Sequence, residues 1–176
     1  MRQVFPTAIQ SGVSQSGSCV LVLSVEDGRI QVPIIIGSYE AQSILLAREG
    51  VRPRRPMTHE LMASMMDAYG LTLRMVTIDR LVEGIFYSTL HVSDGFVERN
   101  IDSRTTDAVT LALLCGAPIM MDDKVLEEAG AQAEPSEPEE TMEQLEAELH
   151  RCEAEEEYER AELIQKKIDK LKGQSS

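Results

Sequence analysis

The stretch Ile101-Asp-Ser-Arg-Thr-Thr-Asp-Ala-Val-Thr-Leu-Ala-Leu-Leu-Cys-Gly-Ala-Pro118 predicts the end of a β-strand, a polar turn and a helix that begins near Thr105. Its residues from Ala108 to Cys115 are apolar with one exception, so the helix is predicted to be buried. Gly116 can take the left-handed conformation that ends a helix, and Pro118 blocks continuation. The rest of the fold is expected to be organised around this helix.

The polar turn before this helix contains Asp102, Arg104 and Asp107. An acid in the first turn of a helix is favoured by the helix dipole and by free backbone N–H groups, which is a purely structural explanation for Asp107. Charged groups this close to a core are otherwise paired or functional. The pattern leaves both explanations open.

Strand and turn signals occupy much of the sequence around this stretch. Two apolar runs, Cys19–Val25 and Ile30–Ile36, flank an Asp-Gly turn, and three later strands are joined by Glu83-Gly84 and Asp94-Gly95. Helices are predicted after Gly37 and after Thr58. Residues 1–130 are therefore predicted to form an α+β domain with a mixed, largely antiparallel sheet and a few packed helices.

The predicted helix after Thr58 carries large apolar residues at helical spacing. This stripe is expected to face the core, and its methionines are interpreted as packing residues, not as ligands. Its members are Leu61, Met62, Met65, Met66 and Tyr69.

The pattern changes after residue 130. Residues 131–138 have linker composition, and residues 139–173 predict two short coiled-coil helices in an antiparallel hairpin. A hairpin of this size is marginal alone, so it is expected to dock on the main domain, on its own copy or on a partner. Of these, a protein partner is our prediction. Its two apolar seams are Met142-Leu145-Leu149-Cys152 and Ala161-Ile164-Ile168-Leu171.

Composition limits the classes of function. The net charge is −13, which is not the basic footprint of a protein that holds nucleic acid by charge alone, so binding of nucleic acid would need a local basic patch or a metal. No apolar run is long enough for a membrane span, and no secretory signal pattern is present at the start. Three widely spaced cysteines favour reduced thiols and a cytoplasmic location.

A basic loop, Val51–Pro56, stands out in this acidic sequence. Arg52, Arg54 and Arg55 suggest contacts with a phosphate or carboxylate of a substrate, although a solvated loop explains them equally well. His59 and Glu60 follow in the first turn of the next helix, where they can meet a ligand.

Residues from about Val4 to Gly130 resemble the bifunctional nuclease family. The matching motifs are Pro33–Gly37 with Glu40, Arg55–Leu61, Ile101–Ala108 and Pro118-Ile119, in that order. Glu60 stands where the family usually has Asp, and Thr105-Thr106 stand where it has Pro-Ser. The resemblance implies a compact α+β domain that forms homodimers, with nuclease activity on DNA and RNA known for some members.

The predicted hairpin resembles a UVR motif, the helical pair of nucleotide-excision-repair proteins. Tyr158-Glu159-Arg160-Ala161 carry the match together with Ile168 and Leu171, whereas Gln165-Lys166 replace the motif's Arg-Asp. The replacement weakens any inference about a particular partner.

Two functions are compatible with these residues. In the first, the protein is a nuclease in which Glu40, Asp102 and Asp107 hold Mg²⁺ or Mn²⁺, ions that prefer oxygen ligands, with Glu60 as an alternative to Glu40. His59 would act as general base and Arg104 or Arg55 would stabilise the transition state. The candidate catalytic residues, inferred from chemistry and not transferred from the family, are His59, Glu60, Asp102, Arg104 and Asp107.

In the second, the domain is a non-catalytic interaction module that binds a small anion or a protein. Convergence of the candidate side chains on one cleft would favour the enzyme, and scatter would favour the module. In either case we expect a homodimer built by the main domain, with the strands Cys19–Val25 and Ile30–Ile36 offering apolar surface.

Overall fold

The computed structural model describes residues 1–11 and 17–132. The predicted hairpin at 139–173, with its resemblance to a UVR motif, and most of the predicted linker lie outside the described residues. The elements are, in chain order, β1 (Arg2–Ser11), β2 (Cys19–Val25), β3 (Ile30–Ile36), α1 (Ser38–Arg48), α2 (Thr58–Ala68), β4 (Thr72–Val82), β5 (Ile85–Ser93), β6 (Glu98–Arg104), α3 (Thr105–Cys115), β7 (Ile119–Met121), α4 (Asp123–Ala129) and β8 (Ala131–Gln132).

All these strands belong to one eight-stranded sheet in the order β6-β5-β4-β7-β1-β2-β3-β8. Only β4 and β7 are parallel neighbours, with Val76 opposite Ile119, and the remaining pairs are antiparallel. The prediction of an α+β domain with a largely antiparallel sheet is confirmed. Strand β6 forms one edge of the sheet and leads directly into α3, so the chain passes from edge to core within a few residues.

Helix α3 lies at the centre of the helical layer and contacts α1, α2 and strands β4, β5 and β6. Its residues Ala108, Val109 and Leu111 are fully buried, as the apolar pattern predicts. Gly116 ends it with a φ of 67°. The predicted buried stretch extended too far at this end, because Cys115 is exposed.

Two strands contain a proline, which has no backbone N–H group to donate to a neighbouring strand. Pro6 lies in β1 at a shift of register toward β2. Pro33 pairs with Val22 on one side, while β8 covers only Ile30 and Gln31 on the other. The backbone nitrogen of Pro33 therefore costs the sheet no hydrogen bond on its open side.

Helix α2 departs from the prediction. None of its residues is buried, and its apolar stripe is exposed at four positions, by 40–77%. The helix packs mainly on α3, from the outside of the layer, so only Met66 of the stripe packs against the core. The exposed residues are Leu61, Met62, Met65 and Tyr69.

The strands expected to carry a dimer are largely covered within the domain. Residues Leu21 to Val25 of β2 are all buried within the domain, and β3 alternates between buried and exposed residues. Both strands lie toward the β8 edge of the sheet, and Ile35 of β3 is 80% exposed. Within the described ranges, no helix combines the length and the apolar character needed to cross a membrane.

Candidate active site

The first turns of α1, α2 and α3 carry the charged side chains of the site. Glu40 lies in the first turn of α1, His59 in that of α2 and Asp107 in that of α3. Arg104 is the last residue of β6 and the N-cap of α3. Acids are stabilised at helix starts by the dipole, so α1 and α3 present carboxylates at the same end of the layer.

Arg104 connects the two carboxylates. Its Nε and Nη2 donate to both oxygens of Asp107 at 2.7 and 2.9 Å, and its Nη1 donates to Oε1 of Glu40 at 3.2 Å. The pair with Asp107 is bidentate, the geometry that fixes a guanidinium most firmly. An arginine has five N–H groups, so these three bonds leave two for a ligand.

His59 joins the same network. Its Nε2 lies 3.0 Å from Oδ1 of Asp107, and both side chains are mostly shielded from water. A carboxylate can only accept a hydrogen bond, so Nε2 carries the proton and Nδ1 carries the free lone pair. Among the described residues, nothing hydrogen-bonds to Nδ1, which leaves it able to accept a proton.

The network keeps Asp107 ionised. Partial burial of the carboxyl raises its pKa, but the hydrogen bonds from Arg104 and His59 and the positive charge of Arg104 together outweigh burial, and the pKa lies below the ordinary value. The hydrogen bond to Asp107 in turn raises the pKa of Arg104. Both charges therefore persist throughout the physiological pH range.

These side chains open onto a cleft of about 650 Å³, within the usual range for ligand pockets of about 300–1,000 Å³. Its polar lining includes the four charged residues just described. Its apolar lining consists of Tyr39, Met62, Leu90 and Ile101. The cleft therefore offers charge on one part of its surface and flat or aliphatic groups on another.

Buried hydroxyl groups fix the start of α3. Ser88 of β5 and Thr105 are both buried and hydrogen-bond to each other at 2.7 Å. The hydroxyl of Thr105 also donates to the carbonyl of Phe86 at 3.3 Å. Arg104 and Asp107 flank Thr105, so these bonds to β5 hold the junction that positions both charges.

Gly37 makes room for Glu40. A methyl group added at residue 37 would overlap Oε2 of Glu40, whose other oxygen accepts from Arg104. The backbone of Gly37 has an ordinary φ of −77°, so the requirement is for space and not for an unusual conformation. The Pro33–Gly37 motif thus ends in a residue that supports the site.

The other predicted site residues are placed differently. Asp102 borders the cleft, but its side chain forms no ion pair or hydrogen bond in the described ranges. Thr89 of β5 pairs with Asp102 in the sheet, but its hydroxyl donates to Asp79 instead. Glu60 accepts from the backbone N–H of Met57 and so caps α2. Glu60 faces a small gap between the helices and not the cleft.

The basic loop ends three residues before His59. Arg52, Arg54 and Arg55 are exposed, and none of them has an ion pair within residues 1–11 and 17–132. Three uncompensated arginines in an acidic chain are available to a negatively charged ligand. The structure places none of them in the network around Arg104.

The predicted metal ligands were Glu40, Asp102 and Asp107. Their oxygen chemistry suits Mg²⁺ or Mn²⁺, but Arg104 already holds Glu40 and Asp107. No group of three or more His, Cys, Asp or Glu in the described part of the chain is arranged to hold a metal ion. In this arrangement a cation could reach the oxygens of Glu40 and Asp107 only by displacing the guanidinium of Arg104.

Sequence reasoning missed Tyr39 and Met62 as residues of the cleft. Met62 was expected in the core, and Tyr39 was not considered. Tyr39 precedes Glu40 in the first turn of α1 and is 83% exposed. An aromatic residue next to a candidate site acid was the available signal, because this sequence has only four Tyr and three Phe.

Residues 21–134 match the family described as "Bifunctional nuclease domain". The chain belongs to the bifunctional nuclease domain family. This match covers more than half of the sequence and confirms the resemblance seen in its motifs. It ends before the segment that resembles a UVR motif, which stays a prediction.

Individual relatives agree with this assignment. An uncharacterised protein of Mycobacterium tuberculosis is 41% identical over 113 residues, which cover 63% of this chain and 66% of that protein. Bifunctional nuclease 1 of Oryza sativa subsp. indica is 29% identical over 109 residues, 60% of this chain and 33% of its own. Bifunctional nuclease 2 of Arabidopsis thaliana is 28% identical over 105 residues, 57% of this chain and 32% of its own.

Proposed function

We propose that this protein is a nuclease that hydrolyses phosphodiester bonds of DNA, RNA or both in the cleft beside α1, α2 and α3. The observation that supports the proposal most strongly is the hydrogen bond between His59 and Asp107 at the edge of that cleft. It occurs in a member of a family with relatives named bifunctional nucleases.

His59 is proposed as the general base. Asp107 holds the ring with Nε2 protonated, so Nδ1 can take a proton from a water molecule as the water oxygen attacks phosphorus. The bond from phosphorus to the leaving oxygen breaks as the new bond forms. The imidazolium then returns the proton to the leaving oxygen, and Asp107 stabilises its charge in the interval.

Arg104 is proposed to bind the reacting phosphate. Its remaining N–H groups can donate to phosphate oxygens, and its charge opposes the negative charge that develops in the transition state. Glu40 and Asp107 fix the guanidinium before substrate arrives, so little reorganisation is needed. Arg52, Arg54 and Arg55 are proposed to contact backbone phosphates farther along the strand.

Assays on purified protein test this proposal directly. We expect the wild type to cleave fluorogenic DNA or RNA oligonucleotides, and His59→Gln to lower kcat by about 10²- to 10⁴-fold, the usual contribution of a positioned general base. His91→Gln is the matched control, because His91 bonds to Thr77 and does not border the cleft. Equal effects of the two variants, or full activity in His59→Gln, would contradict the assignment.

Metal assistance belongs to the same proposal and has its own test. Mg²⁺ or Mn²⁺ would compete with Arg104 for the oxygens of Glu40 and Asp107, with Asp102 as a further oxygen ligand. We expect a chelator to abolish cleavage and either ion to restore it. Cleavage that is unchanged by the chelator would remove the metal from the proposal and leave the roles of His59 and Arg104 intact.

The exposed face of α2 concerns assembly, which is expected for both candidate functions, the nuclease and the interaction module. Leu61 and Met65 of α2 and Tyr69 directly after it are each more than half exposed, which is unusual for large side chains on a surface that faces only water. We propose that this face joins two copies of the main domain as a homodimer. A purified wild type that binds a small anion or a protein partner but cleaves no oligonucleotide would support the module over the enzyme.

The segment at 139–173 is proposed to bind a protein partner and to be dispensable for catalysis. Residues 131–176 hold 14 acidic and 6 basic residues, which disfavours direct contact with a nucleic-acid backbone. Deletion of residues 139–176 should leave oligonucleotide cleavage unchanged. We also propose a cytoplasmic location, because an odd number of widely spaced cysteines in the sequence favours reduced thiols. Cell fractionation with tagged protein would test this.

A further inference from the structure

Tyr39 presents an aromatic ring to the cleft without any structural role there. The side chain is 83% exposed and borders the same cleft as Glu40 and Arg104. None of the described residues forms a hydrogen bond with its hydroxyl group. Removing a tyrosine ring from water is strongly favourable. A ligand that covered the ring of Tyr39 would therefore gain binding free energy.

The ring is attached to a rigid support. Tyr39 lies in the first turn of α1, and its carbonyl accepts a hydrogen bond from the hydroxyl of Ser43 at 3.0 Å. The next residue, Glu40, holds the guanidinium of Arg104. The backbone that carries the ring and the carboxylate that holds the guanidinium therefore belong to the same helical turn.

Two half-exposed aliphatic side chains border the cleft with the ring. Met62 of α2 is 40% exposed and Ile101 of β6 is 48% exposed. A flat, apolar group that entered the cleft would find the aromatic ring and these side chains to pack on, while a phosphate attached to it would find Arg104. A nucleotide combines the two groups.

We propose that the ring of Tyr39 stacks on a base of the substrate, so that the cleft takes an unpaired nucleotide and the enzyme prefers single-stranded over duplex nucleic acid. This inference rests on the proposed nuclease function and names its substrate class. Within a duplex both faces of a base are covered by its neighbours, so an aromatic side chain can stack only on a base that has left the helix. Stacking of this kind accepts any base, because every base has a π-face.

Binding measurements separate this inference from the activity itself. Fluorescence anisotropy would compare a single-stranded oligonucleotide, the same length of duplex, and a single strand of abasic sites with the same phosphates. We expect the wild type to bind the intact single strand more tightly than either of the others. Tyr39→Ala should weaken binding of the intact strand by about 5- to 150-fold, the range for one stacked base.

Two comparisons identify stacking as the cause. Tyr39→Phe keeps the π-face and should bind like the wild type, and Tyr39→Ala should not change the affinity for the abasic strand. Phe96→Ala is the matched control, since Phe96 is 98% exposed at a hairpin tip and does not border the cleft. If cleavage is absent but these binding differences appear, the proposed activity fails and the stacking site stands.

Three results would overturn the inference. The first is equal affinity of the wild type for intact and abasic strands. The second is a loss of affinity in Phe96→Ala as large as that in Tyr39→Ala. The third is unchanged nucleotide binding in Tyr39→Ala with an altered molecular mass, which would place Tyr39 in a protein interface.

Discussion

Asp107 is the residue on which the site depends, because it contacts both His59 and Arg104. Loss of its charge removes the acceptor that selects the tautomer of His59 and the partner that fixes the guanidinium. Its pKa is lowered in the folded protein. A group with a lowered pKa stabilises the folded state above the ordinary pKa, and that stabilisation is lost as the pH falls through the folded pKa.

The lowered pKa of Asp107 predicts how the thermal stability of Asp107→Asn depends on pH. At neutral pH the variant should unfold at a lower temperature than the wild type. The difference should persist down to about pH 5 and shrink below about pH 4, the ordinary pKa of Asp, as the wild-type carboxylate is protonated. Thermal denaturation followed by circular dichroism from pH 2.5 to 7 measures it.

Asp102→Asn is the control, because Asp102 has no ion pair in the described ranges and its variant should track the wild type across this range. A difference for Asp107→Asn that grows toward low pH would contradict the assigned direction of the pKa shift.

The sequence indicated which charged residues meet at the cleft better than it indicated the contacts between them. Glu40, His59, Arg104 and Asp107 were all candidates because of their charge at helix starts. The bridge from Arg104 to Glu40 joins residues 64 positions apart. That contact depends on how α1 and α3 pack, and a single sequence carries no signal for it.

The role of Gly37 shows the same limit and gives a second prediction. Gly37→Ala places a methyl group where Oε2 of Glu40 lies, so the side chain of Glu40 must move and Arg104 should lose that partner. We expect the KM for an oligonucleotide to rise severalfold with little change in thermal stability, because a flexible side chain yields easily. Steady-state kinetics measure the effect.

Ser38→Ala is a suitable control for that variant, since it alters the next residue without adding bulk toward Glu40. Unchanged kinetics in Gly37→Ala would mean that Glu40 does not help to position Arg104.

Among the elements, α3 was the easiest to predict and α2 the hardest. An almost uniformly apolar helix must be buried wherever it lies, so the pattern of α3 determines its environment. The stripe on α2 shows which face is apolar but does not show what covers it. In the described domain nothing covers Leu61, Met65 or Tyr69.

The central place of α3 gives a third prediction. Leu111→Ala removes a fully buried side chain and should lower the free energy of unfolding by about 2–5 kcal/mol, through lost burial and the cavity left behind. Urea denaturation measures the change. Phe96→Ala, at the exposed hairpin tip, should change the free energy of unfolding by less than about 0.5 kcal/mol.

A cost for Leu111→Ala as small as that for Phe96→Ala would mean that α3 is not the centre of the core.

For the whole molecule, the sequence predicts the class of fold but not the order of the strands or which apolar side chains stay exposed. The turns and alternating strands were sufficient for an antiparallel α+β domain. The order β6-β5-β4-β7-β1-β2-β3-β8 was not accessible, because it depends on β7 inserting between strands that are distant in sequence.

The last prediction concerns assembly. If the exposed face of α2 joins two copies, Met65→Asp should convert a dimer into a monomer, because a charge in an apolar interface loses its hydration without gaining a partner. Ser64→Asp adds the same charge to an exposed position next to it, and it should leave the dimer intact if Ser64 lies outside the contact. Light scattering after size-exclusion chromatography gives the mass of each variant.

Deletion of residues 139–176 should leave a particle of twice the shortened monomer's mass. A monomeric truncation would transfer the dimer interface to the C-terminal segment and leave the α2 face for another occupant.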